Sequence, residues 1–293
     1  MKDESKQTMK PFFVLLQYIL PHHLISRVSG KFMNIKWSPM KDRIIPWFIK
    51  RYKVDMSEAK IQDITQFKTF NDFFTRELKP GARPIAAGST IISPADGCIS
   101  QMGDIKGNQI FQAKGQDYSL SSLLGGEKES AQRFENGSFA TIYLSPKDYH
   151  RVHMPITGRL KEMIYVPGRI FSVNPLTADH VPGLFARNER VICLFETELG
   201  TVAVILVGAM IVASIHTVWH GQVTPGIRKT IQTWRYDDKK IELSKGEELG
   251  YFCLGSTVIM LFPASKIDWS ANLESNKAIR LGEKIAEIRK KQQ

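Results

Sequence analysis

Leu24, Ile25, Val28, Phe32 and Met33 recur at three- and four-residue intervals with Arg27 and Lys31 between them, and Pro21 divides this stretch from the aromatic and aliphatic run 11–20. The spacing predicts two short helices, each with an apolar and a basic face. Residues 41–53 repeat the theme, with Ile44, Ile45, Trp47, Phe48 and Ile49 set among Lys41, Arg43, Lys50, Arg51 and Lys53. Ser57 predicts the N-cap of a further helix that turns Ile61 and Ile64 inward. Thr69 caps a helix over 70–78 with Asp72 at its third position, and Lys79-Pro80-Gly81 ends it. After Arg83-Pro84-Ile85 the texture changes to short β-branched runs separated by Gly, Pro and Asn. Residues 139–144, 160–166, 191–196, 201–207 and 257–262 are the clearest strands, and Glu198-Leu199-Gly200 joins two of them as a hairpin. Residues 277–290 predict a basic, weakly amphipathic helix or tail. The expected fold class is α+β: N-terminal amphipathic helices followed by a mainly antiparallel β core. Residues 1–80 are expected to form a helical, membrane-associating region and 81–293 a β-rich catalytic domain.

Charge sharpens this picture. The 293-residue chain carries 40 Lys and Arg against 29 Asp and Glu, a net charge of +11. Residues 1–60 hold 12 basic against 5 acidic residues, and residues 277–293 hold 6 against 2, so the two ends account for the whole surplus. Basic charge beside Trp, Tyr and bulky aliphatics fits a helix lying in an anionic bilayer surface. Nucleic acid is not expected as a partner, because no recognition motif accompanies the charge. The competing reading packs the apolar faces on the protein's own core and leaves only the basic residues in solvent. His22 and His23 read as spectators on the membrane-facing surface. The longest apolar run, 202–215, has 14 residues. It falls short of the roughly 18 to 20 that a spanning helix needs and reads as a buried strand. Cys98, Cys193 and Cys253 form no CxxC pair, which argues for buried thiols in a reducing compartment. The polar N-terminus, mixed in sign, carries no expected secretory signal.

Four segments carry candidate chemistry. Ser93-Pro94-Ala95-Asp96-Gly97 puts an acid in a turn, and Tyr149-His150-Arg151-Val152-His153-Met154-Pro155 puts two histidines after a strand. Leu254-Gly255-Ser256-Thr257 puts a hydroxyl behind glycine at a strand start. A hydroxyl nucleophile needs a base and the base needs an orienting acid, so Asp96, His153 and Ser256 meet the requirements of a charge-relay set. A turn aspartate, a surface histidine and a capping serine are the plain alternative. His216 and His220 have the spacing of a helical metal pair, yet they follow an apolar strand, and no metal site is expected. Cys253 has no base near it in sequence and reads as core.

Leu254-Gly255-Ser256-Thr257 resembles the LGST self-processing motif of bacterial phosphatidylserine decarboxylases. Four further stretches resemble that family in the same order: Phe70-Asn71-Asp72-Phe73-Phe74-Thr75-Arg76-Glu77-Leu78, the turn 93–97, the segment 149–155, and Phe185-Ala186-Arg187-Asn188-Glu189-Arg190. The similarity runs from about Gln17 to about Gly282. It implies a pyruvoyl-dependent carboxy-lyase that converts phosphatidylserine to phosphatidylethanolamine and carbon dioxide. Asp96, His153 and Ser256 would form the self-cleavage triad, and Gly255-Ser256 would be the bond cut, giving a β chain 1–255 and an α chain 256–293. Ser256 would become the covalent pyruvoyl cofactor that holds the substrate amine as a Schiff base. His150 is the candidate proton donor by proximity, with an orienting role as the alternative. The resemblance also implies phosphatidylserine and an anionic membrane surface as partners, a homodimer of processed units, and a peripheral position on the cytoplasmic face of the cell membrane. A serine hydrolase that keeps its Ser256 hydroxyl, and a lipid-binding protein without turnover, remain open as other readings of the same residues.

Overall fold

The structure, a computed structural model, describes residues 15, 17–113, 115–210, 214–225, 229–253 and 256–289, the side chains of residues 23 and 38 excepted. Half of the predicted run 11–20, Leu254 and Gly255 of the candidate self-processing motif, the side chain of His23 and the tail from residue 290 therefore lie outside the described residues.

The N-terminal periodicity becomes helices at His22–Met33 and Ser38–Tyr52. Ile45 and Phe48 of the second helix bury against Phe67, Phe70, Phe73 and Phe74, a small core separate from that of the sheets. The first helix is turned inside out. Ser26 and His22 are buried, His22 edge-on to the Phe171 ring at 5.5 Å, whereas Leu24, Val28 and Phe32 stand exposed on one stripe beside Arg27 and Lys31. His22 is thus a packed residue and not a surface spectator. No helix among the described residues is long and apolar enough to cross a membrane.

Two predicted helices are shortened or replaced. The Asp55 carboxylate accepts from the Ser57 backbone N–H at 2.8 Å, and Ala59 pairs with Leu78 as an isolated bridge, so no helix starts at Ser57. A local side-chain bond and a cross-chain pairing outcompete helical hydrogen bonds there. Thr69 caps a helix at Phe70–Phe74 only, with a complete capping box in which Thr69 and Asp72 exchange bonds of 3.0 and 3.1 Å. The same bridge to residue 59 draws residues 75–78 out of the helix.

Eighteen strands occur among the described residues: β1 (Thr90–Ile92), β2 (Gly97–Asp104), β3 (Gln109–Ala113), β4 (Gln116–Ser119), β5 (Ser138–Leu144), β6 (Arg151–His153), β7 (Gly158–Val166), β8 (Arg190–Thr197), β9 (Gly200–Gly208), β10 (Ser214–Thr217), β11 (Gly221–Gln222), β12 (Gln232–Arg235), β13 (Glu242–Leu243), β14 (Glu248–Cys253), β15 (Ser256–Phe262), β16 (Ile267–Trp269), β17 (Ala278–Ile279) and β18 (Lys284–Ile288). Nine of them form one antiparallel sheet in the order β12-β7-β8-β9-β15-β5-β2-β17, with β13 also on β7. The five strands expected from sequence are its centre, and β8 turns into β9 through the expected hairpin. The α+β expectation holds. The expected helix at 277–290 does not form: β17 pairs with β2, and β18 lies between β1 and β16. Gly282 turns the chain between β17 and β18 at φ 86°, a conformation that breaks a helix and suits glycine.

Strand β15 is buried along its whole length. Val258, Met260 and Phe262 enter one core, and Ile259 and Leu261 enter the other. This two-sided burial explains the unbroken apolar run in its sequence.

A second sheet, β11-β10-β14-β6, stands beside the first, and three of the six connections between them join the adjacent strands β5, β15 and β9 to β6, β14 and β10. Strand β5 leads through 145–150 into β6. The pairings fix both banks of the crossing. Ser256 faces Leu144 and Gly208, Cys253 faces Ser214, and the Phe252 N–H donates to the His150 carbonyl at 3.0 Å.

Candidate active site

The crossing loop 145–150 is shaped by its own residues. The Asp148 carboxylate accepts from the Ser145 backbone N–H and hydroxyl, each at 2.7 Å, and the Asp148 N–H returns a bond to the Ser145 carbonyl at 2.9 Å. Burial pushes the Asp148 carboxyl up, against the pull of these two donors. The closed turn delivers His150 to the interior.

His150 is fully buried, with its ring 4.1 Å from that of Phe74. Its Nδ1 lies 2.8 Å from the Asp148 carbonyl and therefore carries the proton, which leaves Nε2 as the lone-pair nitrogen. That Nε2 is buried without a hydrogen-bond partner among the described residues. Burial above all, aided by the Arg76 charge, pushes the imidazole down to about 3, against the opposing bond to Asp148. At neutral pH the ring is an uncharged proton acceptor, so a donor role requires that it first take up a proton.

His153 sits in β6, and its backbone N–H donates to the Pro94 carbonyl at 2.8 Å, which brings the 93–97 turn alongside. Its Nδ1 meets the Gly246 carbonyl at 2.9 Å, and its Nε2 meets the Tyr149 hydroxyl at 3.2 Å. The carbonyl assigns the proton to Nδ1, so Tyr149 donates to a basic Nε2. Burial holds this imidazole below its usual range, opposed by Gly246 and Glu248. It too is a neutral base.

Asp96 is placed differently from the expected triad. Arg83 grips it with Nε at 2.9 Å from Oδ1 and Nη2 at 2.6 Å from Oδ2, and the Leu281 backbone N–H adds a bond of 2.9 Å to Oδ1. The same guanidinium reaches Glu58 at 2.7 Å, and this double pairing raises the Arg83 side chain above its usual range. The structure brings the turn of Asp96 to the strand of His153 but makes no hydrogen bond between the two side chains. Gly97 is required next to Asp96, because a Cβ there would strike the Tyr143 carbonyl of β5.

Ser256 is fully buried, and its Oγ has no hydrogen-bond partner among the described residues; the same holds for Thr257 Oγ1. A buried hydroxyl left unpaired costs about 1–3 kcal/mol. The remaining candidates separate. His216 lies in a strand, stacked on Tyr251 at 4.6 Å and bonded to the Ser214 hydroxyl at 2.9 Å, while His220 lies in a turn against Trp234. They share no helical face. Burial pushes the Cys253 thiol up, which suits core packing and not nucleophilic attack. Cys193 is buried as well, and Cys98 only in part.

Sequence reading missed Arg83, Tyr149 and Asp148 as participants. Tyr149 and Asp148 adjoin His150 in the chain, whereas nothing local ties Arg83 to a carboxylate 13 residues away.

A buried serine hydroxyl heads β15, and the chain that leaves the adjacent β5 carries two imidazoles. Comparison with known proteins gives the family. The model of the phosphatidylserine decarboxylase family matches residues 70–287, and a second model, described as PSD, matches residues 12–53. The phosphatidylserine decarboxylase proenzyme of Ectopseudomonas mendocina is 55% identical over 275 residues, 92% of this chain and 96% of that protein. That of Pseudomonas aeruginosa is 56% identical over 278 residues, 94% and 96% of the two chains. That of Shewanella denitrificans is 55% identical over 282 residues, 94% and 98%. The chain belongs to the phosphatidylserine decarboxylase family and is a decarboxylase.

The depressed His150 predicts a pH effect on stability. Unfolded, the imidazole binds a proton below 6.5; folded, it does so only below about 3. Between those values the unfolded chain holds the extra proton, so stability is fully present above pH 6.5 and falls as pH drops toward 3. Urea unfolding of wild type and His150→Gln at pH 7.5 and pH 4.5 checks this. The variant should lose less stability on acidification, and equal losses would refute the assignment of a buried neutral ring.

Proposed function

We propose that the chain is a self-processing phosphatidylserine decarboxylase that makes its own pyruvoyl group from Ser256 and converts phosphatidylserine to phosphatidylethanolamine and carbon dioxide. The observation that carries this reading is the buried Ser256 hydroxyl, without a hydrogen-bond partner among the described residues, at the first position of a strand held on both sides. The names of the relatives, which describe proenzymes of this activity, support it.

In maturation the Ser256 Oγ attacks the Gly255 carbonyl carbon, a C–O bond forms, the C–N bond breaks, and the hydroxyl proton ends on the new amine of residue 256. The neutral His153, with its basic Nε2, supplies the relay for that proton. Glycine suits position 255 because a missing Cβ widens the backbone conformations open to the attacked carbonyl. For Asp96 to orient His153, the Nδ1–H has to exchange the Gly246 carbonyl for the Asp96 carboxylate that Arg83 now holds, and Tyr149 has to leave Nε2 before that nitrogen can take the serine proton. Loss of the Cα proton of residue 256 and departure of the Gly255 carboxylate then leave dehydroalanine, and water converts it to a ketone with release of ammonia. The fragments stay together, since β15, β17 and β18 pair with β5, β9, β2 and β1 of the other piece.

The residues present fit a pyruvoyl group at 256, because the conversion removes a stranded hydroxyl donor from the interior. When formed, the group supplies an electron sink for decarboxylation. His150 is the residue for the proton that must then reach carbon: its Nε2 is free to take one up and pass it on.

Membrane contact is part of the same proposal. The exposed stripe of Leu24, Val28 and Phe32, with Trp37 and Trp47 also exposed, stands beside the basic residues of the two helices, as a bilayer-surface element requires. A soluble helix would turn these residues inward.

Denaturing mass spectrometry of the purified chain tests the chemistry. It should show a 38-residue fragment, 256–293, blocked by a pyruvoyl group. Ser256→Ala should remain uncut and inactive, while Ser256→Cys or Ser256→Thr cut slowly because each keeps a nucleophile. An intact wild-type chain that releases no carbon dioxide from lipid defeats the proposal, and phosphonate labelling of Ser256 would favour the hydrolase reading. For the membrane, Leu24→Asp combined with Val28→Asp should lower partitioning onto phosphatidylserine-containing vesicles by about tenfold or more, since each apolar side chain contributes about 1.5 kcal/mol or more on burial. Unchanged sedimentation with vesicles would contradict the surface assignment.

A further inference from the structure

Beside the active site lies a cavity of about 180 Å³, lined by residues from the end of the helix Ser38–Tyr52, the segment after Phe70–Phe74, and the crossing loop 145–150. Its wall is cationic beyond what the protein neutralises. Two of its cations are already paired: Arg83 holds Asp96 and Glu58, and Arg280 reaches Glu58 at 3.0 Å. Asp55, the other carboxylate on the wall, accepts from the Ser57 backbone N–H. Lys53, Arg76 and Lys147 also line the cavity, and none of them forms an ion pair among the described residues. Asp148, next to Lys147 in the chain, spends its carboxylate on Ser145.

Arg76 is the most telling of the three. It is only 5% exposed. One Nη donates to the Lys147 carbonyl at 3.1 Å, and the guanidinium lies 5.6 Å from the centre of the Phe73 ring. Its Nε is buried without a hydrogen-bond partner among the described residues. A guanidinium positioned by packing, with an unused donor and two ammonium groups on the same wall, matches the planar, multidentate recognition of phosphate oxygens. The cavity also shares Tyr149 with the active site, where that hydroxyl meets His153. On its other side Lys53 ends the helix that exposes Trp47.

We propose that this cavity binds a phosphate-bearing anion through Arg76, Lys147 and Lys53, and that the anion is the head-group phosphodiester of the lipid substrate. The second clause rests on the decarboxylase function proposed above. Free phosphate offers the same chemistry, and the test separates the two sources.

The full-length Ser256→Ala chain, uncut and without turnover, is titrated calorimetrically with glycerophosphoserine and with inorganic phosphate. Binding is expected, weakened about tenfold by Lys147→Glu and less by Lys147→Gln, as a charge-assisted contact requires. Tighter binding of glycerophosphoserine assigns the site to the lipid head group; equal binding assigns it to free phosphate and overturns the head-group clause. No binding of either at millimolar concentration, or binding indifferent to Lys147→Glu and Lys53→Glu, overturns the site. In the otherwise wild-type chain, Lys147→Glu that is fully cut but keeps the parent KM for phosphatidylserine also overturns it and leaves the decarboxylase reading standing. Absence of carbon dioxide release by wild type itself would sink that reading instead.

Discussion

Strand β15 is held from both sides before its first residue, so the position of Ser256 is set by two registers at once. Leu144 and Gly208 flank it in the large sheet, while Cys253, three residues earlier, is already committed to the ladder of the second sheet. A cut between 255 and 256 breaks no strand pairing on either bank. Such a bond is one the fold can lose without losing itself, and burial of every β15 residue keeps the shorter piece in place.

The chemistry around that bond depends on desolvation more than on charge. Both histidines are carried on the adjoining chain, both donate Nδ1–H to a backbone carbonyl, and both are kept neutral by burial. Charge is instead concentrated one layer away, where Arg83 gathers Asp96 and Glu58 and the Leu281 amide reaches Asp96 from the segment between β17 and β18. Asp96 therefore links the helical region, the 93–97 turn and the C-terminal piece.

The central strands and the helix His22–Met33 were legible because their signals are local: β-branched runs bounded by turn residues, and apolar positions at helical intervals. The Thr69 capping box was legible for the same reason, yet the length of its helix was not, since the bridge between Ala59 and Leu78 decides where it stops. The segment 277–290 had only a weak helical period and yielded to the edges offered by β2, β1 and β16. The order Asp96, His153, Ser256 and the family likeness pointed to the site, but the partner of Asp96 was invisible, because a salt bridge made by tertiary placement leaves no periodic mark. Which face of His22–Met33 meets solvent was equally hidden. The sequence shows two faces, and only the packing of Ser26 and His22 tells which is inside.

The account turns on residue 256 offering a carbonyl to the amine of the lipid. Incubation of the purified, processed protein with phosphatidylserine and cyanoborohydride, followed by digestion and mass spectrometry, asks this directly. The account predicts a lipid-derived adduct fixed by reduction at residue 256 of the shorter chain, with activity lost in proportion. An adduct confined to lysine side chains, or none while carbon dioxide is still released, would contradict it.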